Sequence, residues 1–86
     1  MTVYVKTMTG KTMNFVVSRD ELVQDFMTMI QARDGTPVAE QRLLFNGLQL
    51  EQGRTLSSYR VMDRSNLQLV VRQVGGPGFD SLIREL

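Results

Sequence analysis

Cysteine and histidine are both absent from the 86 residues of the chain. Without them there is no thiolate nucleophile, no imidazole base and no zinc ligand set of the usual kind. No disulfide framework can support the fold, which fits a cytoplasmic or nuclear home. Charge of one sign is not in excess either: 10 Lys+Arg stand against 9 Asp+Glu, a formal net charge of +1. That balance, with no basic stripe, argues against a dedicated nucleic-acid or membrane-surface protein. No apolar run reaches the roughly 18 residues of a membrane span. The opening Met1-Thr2-Val3-Tyr4-Val5-Lys6 is too polar for a signal peptide. The carboxylates are scattered, and Glu21 with Asp25 reads as a solvated helix face rather than an acid/base couple. The expectation is a non-enzyme with no cofactor and no metal. Its length suits one small domain, whose core must use most of the periodic apolar residues.

Those residues are well placed. Val3 and Val5 alternate with polar neighbours over Thr2 to Lys6, and Thr7-Met8-Thr9-Gly10 supplies turn chemistry. Alternation resumes from Lys11 to Val17 with Met13, Phe15 and Val17 inward, which predicts a β-hairpin with Gly10 at a left-handed position. Ser18 and Glu21 have capping-box spacing, so a helix is expected to start there. Val23, Phe26, Met27 and Ile30 form its apolar stripe, and Gly35 then Pro37 end it. Gln41 to Phe45 reads as a short strand with Leu43 and Phe45 inward, followed by an Asn46-Gly47 turn and a very short strand at Leu48 to Leu50. Leu56 anchors a loop, and Val61 leads back to the core. A last strand carries Leu67, Leu69 and Val71 on its buried face. The class expected is α+β, a mixed sheet with one helix packed across it, because stripe and sheet must cover each other.

The last strand runs out through Arg72 into Gly75-Gly76, where side-chain bulk vanishes. By itself Gly75-Gly76-Pro77-Gly78 reads as a linker or turn. The whole chain says more. Met1-x-Val3-x-Val5-Lys6-Thr7-x-Thr9-Gly10-Lys11-Thr12, Ile30-Gln31, Gly35-x-Pro37, Gln41-Arg42-Leu43-x-Phe45-x-Gly47 and Gln49-Leu50-Glu51-x-Gly53-Arg54-Thr55-Leu56-Ser57-x-Tyr59 closely resemble ubiquitin, without a gap from Met1 to Gly76. The resemblance implies the β-grasp fold over residues 1–76, with residues 77–86 as a C-terminal extension.

It also implies function. In that family the terminal glycine is activated as an adenylate and passed through thioesters to a substrate lysine, so Gly75 and Gly76 become a conjugation tail. Arg42 and Arg72 match arginines that contact the activating enzyme, although Gln73 and Val74 depart from the pattern. Met8, Leu44 and Val70 match an apolar patch through which the family is bound, flanked here by Gly47, Leu48 and Gln68. Gln68 stands where the family has a histidine, and Leu48 where it has a lysine, which would enlarge the patch. Lys6 and Lys11 are the only lysines left as chain acceptors.

Two readings follow. The first is a protein modifier precursor conjugated through Gly76 after processing. The second is a non-conjugated ubiquitin-like domain, freestanding or at the N-terminus of a larger protein, serving as a docking module. Gly75-Gly76, Arg42 and Arg72 favour the first, which is the expectation adopted; Pro77, which would follow the scissile bond and hinder processing, Gln73, Val74 and the few lysines favour the second. The partners expected are activating and conjugating enzymes, ligases, processing proteases and ubiquitin-binding domains, with no nucleic acid and no membrane. Phe79, Leu82, Ile83 and Leu86 have helical spacing, so a short amphipathic helix docked on the apolar face, of the same chain or of a neighbour, is a further expectation. The chain is otherwise expected to be monomeric.

Overall fold

The computed structural model describes residues 1–71. The expectations that fall on Arg72, Gly75, Gly76 and the 77–86 extension lie outside the described residues.

Strands β1 (Thr2–Lys6) and β2 (Thr12–Val16) form an antiparallel hairpin in the register Val3↔Phe15, Val5↔Met13. Its odd-numbered residues carry both the buried side chains and the ladder bonds. The Met1 amino group donates to the Val17 carbonyl at 2.8 Å, and the Val17 N–H returns to Met1 at 2.8 Å. The turn closes with the Thr7 N–H on the Lys11 carbonyl at 2.8 Å and Gly10 in the left-handed region at φ 88°.

Helix α1 (Val23–Asp34) buries Val23, Phe26, Met27 and Ile30, the stripe expected from their spacing. Its start differs from expectation. Ser18 and Glu21 form no capping box, and Leu22 flanks the first turn without any side-chain cap. The Ser18 hydroxyl accepts the Asp20 N–H at 3.2 Å, two residues on, which closes a local turn instead. Residues 19–22 are then held from far along the chain. Leu56 N–H donates to Glu21 O at 2.9 Å, Ser57 N–H to Arg19 O at 3.1 Å, and Leu22 bridges Thr55. These long-range bonds hold a turn at residues 19–20 and an extended Leu22 where a helix start was expected. The far end is as expected: Gly35 sits at φ 84° and its N–H donates to Gln31 O at 2.8 Å.

After a 3-10 turn at Val38–Glu40 come β3 (Gln41–Phe45) and β4 (Leu48–Gln49), joined by Asn46 at φ 52° and Gly47 at φ 79°. Two positive φ values in a two-residue loop suit the twist of a hairpin, and Asn-Gly tolerates them. Strand β5 (Ser65–Val71) enters between the hairpins, parallel to β1 and antiparallel to β3, so the sheet order is β2-β1-β5-β3-β4.

The inner face of this sheet packs on α1. Val3, Val5, Leu43, Leu67 and Leu69 are at most 1% exposed, and the Phe15 and Phe26 rings meet edge to face at 5.2 Å. Each such side chain contributes about 1.5–3 kcal/mol through burial. Leu56 and Val61 close the core from the loop that ends in a second 3-10 turn, Ser57–Tyr59. Among the described residues one polar side chain is buried: Gln41 donates from Nε2 to Met27 O and Thr36 O, both at 2.9 Å. It satisfies two carbonyls where the chain turns from α1 into β3. Met27 is itself buried, so this end of the helix stripe is apolar.

Candidate functional site

Alternation along β3 and β5 decides which side chains are free of the core. Leu43 pairs with Leu69 on the inner face, so Leu44↔Gln68 and Arg42↔Val70 must look outward. Leu44 and Val70 are half-buried there, and Arg42 and Gln68 are exposed. Parallel pairing of β1 with β5 sets Lys6 beside Gln68. The β1–β2 turn then carries Met8 toward them. That turn is stiffened by the Thr7 and Thr9 hydroxyls, hydrogen-bonded at 2.9 Å, and by the Lys11 N–H on Thr7 Oγ1 at 3.2 Å.

The result is an open groove of about 550 Å³ on the outer face, with Met8, Leu44, Gly47, Gln68 and Lys6 in its lining. Gly10, Asn46 and Asn66 also line it. Lys6 is the one charged residue in that lining. Met8 is 66% exposed, so its thioether is an adaptable apolar contact left over from folding. Val70 lies one pair further along the outer face, beside Arg42, and extends the surface without lining the groove.

Leu48 is placed differently from the contiguous patch expected with Leu44. The β3–β4 register pairs Leu48 with Phe45 and Gln49 with Leu44. Cross-strand partners share a face, so Leu48 goes with Phe45 toward the helix side of the sheet edge. It is 60% exposed at that rim and takes no part in the groove. Lys6 and Lys11 are both exposed, the first in the groove and the second where the turn enters β2. Five lining residues were not anticipated: Thr7, Gly10, Asn46, Asn66 and Leu67. Glycine and asparagine had signalled turns, and only the sheet order brings the two turns to one face.

A mixed five-stranded sheet holding a single helix, with an outer face that keeps apolar residues the core does not use, defines a ubiquitin-like β-grasp domain. The sequence model of the ubiquitin family matches residues 3–74, and the chain belongs to that family. Among curated proteins it is similar to Ubiquitin-like protein 4A of Rhinolophus ferrumequinum, 39% identical over 72 residues. That match covers 84% of this chain and 45% of the relative. Ubiquitin-like protein 4A of Homo sapiens is 38% identical over 72 residues, which cover 84% of this chain and 46% of that protein. The protein of the same name from Oryctolagus cuniculus is also 38% identical over the same length. The matched stretch thus spans about half the length of these relatives.

Proposed function

We propose that the chain acts as a protein-docking module of the ubiquitin pathway, bound through the outer sheet face around Met8, Leu44, Gln68 and Val70. The observation that carries this reading is a division of labour between neighbours in β3. Leu43 is fully buried, whereas Leu44 lies in an open groove beside an exposed Met8. Apolar side chains that folding leaves at the surface in a concave site tend to mark interaction surfaces. The partner suited to it is an apolar helix or loop of a ubiquitin-binding domain, with an acidic or polar group for Lys6. Calorimetry with an isolated helical ubiquitin-binding domain tests this. Met8→Asp should weaken the complex at least about tenfold, equivalent to about 1.4 kcal/mol, with the fold intact by circular dichroism. Unchanged affinity would remove Met8 from the interface.

Conjugation is the second reading, favoured by Gly75-Gly76 and by Arg42 and Arg72 in the sequence. A chain tagged at both ends and incubated in eukaryotic lysate would then yield a product ending at Gly76. If it stays intact while a control ubiquitin precursor is processed, the precursor reading fails. Were it conjugated, chains could grow only from Lys6, Lys11 or the N-terminus, because arginine and leucine cannot attack a thioester.

A further inference from the structure

The six methionines of the chain divide sharply by exposure. Met13 and Met27 are 3% exposed, and Met1 and Met29 are half-buried against the core. Met8 and Met62 stand out at 66% and 67%. The chain has neither cysteine nor tryptophan, so thioether sulfur is the side-chain group that a peroxide oxidises most readily here. Exposure concentrates that chemistry at two positions.

The two positions differ in what surrounds them. Met8 lines the outer-face groove with Lys6, Leu44 and Gln68, whereas Met62 lies outside that lining, ahead of β5. The backbone on either side of Met8 is held in place. The Thr7 and Thr9 hydroxyls are hydrogen-bonded at 2.9 Å, and the Thr7 N–H donates to the Lys11 carbonyl at 2.8 Å. The Met8 side chain itself takes no part in the core. It can therefore change chemically on a fixed turn while the fold stays as it is.

We infer that Met8 is a reversible oxidation site for hydrogen peroxide, and that its sulfoxide switches docking off; the second half rests on the outer sheet face being the docking surface. The sulfur lone pair attacks one peroxide oxygen. An S–O bond forms as the O–O bond breaks, and the second oxygen leaves as water. The sulfur loses two electrons and the peroxide gains them. A thiol-dependent methionine sulfoxide reductase reverses the step: two thiols become a disulfide and the sulfoxide oxygen departs as water. Oxidation replaces a soft apolar contact with a polar, chiral one. Water satisfies the new acceptor in the free chain. An apolar partner must strip that water without supplying a donor, which opposes binding. Leu44 and Val70, the other apolar residues of the face, are inert to the same reagent, so one atom carries the switch.

The test treats the folded chain with dilute hydrogen peroxide and reads modification and binding separately. Peptide mapping by mass spectrometry should find oxygen added at Met8 and Met62 well before Met13 and Met27. Calorimetry with an isolated helical ubiquitin-binding domain is run on the untreated chain first, which reads docking itself. The treated chain should bind about tenfold or more weakly, as expected for a buried acceptor left without a donor. The two methionine sulfoxide reductases, one for each epimer, should together restore the affinity. Met62→Leu should lose affinity on treatment as the parent does. Met8→Leu, whatever its starting affinity, should lose none. Circular dichroism checks that treatment leaves the fold unchanged. Loss of affinity in treated Met8→Leu, full affinity with Met8 oxidised, or a Met8 that reacts no faster than Met13 would each overturn the proposal. No binding by the untreated chain would sink the docking reading and the switch with it, while the mapping still decides the oxidation site.

Discussion

Leu43 and Leu44 are neighbours in one strand, yet the structure assigns them opposite tasks. Leu43 is fully buried between β5 and the helix, so Leu43→Ala removes apolar contact and leaves a cavity that a close-packed core closes only in part. Substitutions of this kind cost about 3 kcal/mol. A small domain loses about 4–8 °C in Tm per kcal/mol, so the variant should melt roughly 12–24 °C lower. A total stability of about 5–10 kcal/mol would still leave it folded at room temperature. Leu44 is half-buried at the groove and opens no internal cavity when shortened. Leu44→Ala should therefore cost only about 1 kcal/mol of stability. Its effect should appear in binding instead. The assay is urea denaturation followed by far-ultraviolet circular dichroism, because the chain lacks tryptophan, with binding of each variant measured well below its midpoint. Leu43→Ala should be strongly destabilised and bind like the parent, and Leu44→Ala should be nearly as stable and bind poorly. Equal destabilisation by the two, or loss of binding in folded Leu43→Ala alone, would refute the assignment of faces.

Other outcomes follow from single contacts. Gln41→Ala removes the donor to Met27 O, which keeps its place in the helix ladder, and to Thr36 O, which is part-buried, and a lost hydrogen bond of this kind costs about 0.5–1.5 kcal/mol. Denaturation should show a loss of that order, with the outer face still able to bind. Gly35→Ala puts a Cβ on a residue at φ 84° although nothing lies within 4 Å of it. The cost is thus conformational, about 1–2 kcal/mol, and Gly35→Asn should recover part of it. Glu51→Gln removes an ion pair whose side chains are 59% and 71% exposed. Such pairs contribute about 0–1 kcal/mol, so the melting temperature should barely move.

The fold was legible where its cause is local. Period-2 alternation marked β1 and β3 at their observed bounds, helical spacing found all four buried residues of α1, and Asn46-Gly47 declared its turn. It was misread where distant residues decide. Ser18 and Glu21 carry a sound local signal for a helix start, but bonds from Leu56 and Ser57 hold that stretch in a turn ahead of the helix. Gln41 was read only as a strand residue, since the carbonyls it satisfies lie 14 and 5 positions away. At the candidate site, the resemblance pointed to Met8, Leu44 and Val70; alternation turns Leu44 and Val70 away from the core, and Met8 lies on the turn outside it. Leu48 was grouped with them because the resemblance sets a lysine beside the patch there, whereas its face depends on pairing with Phe45. Arg33 on Phe15 had no sequence signal, because 18 positions separate them and only the packing of α1 on β2 joins them.

The most direct test of the docking claim is to map the bound surface residue by residue. The isotope-labelled chain would be titrated with an unlabelled helical ubiquitin-binding domain and its amide spectrum recorded at each step. Saturable shifts centred on Met8, Leu44, Gln68 and Val70, fading toward the helix side, are the predicted result. Saturable shifts that spare those residues, or no shifts at millimolar partner, would contradict the assignment of the outer sheet face as the site of docking.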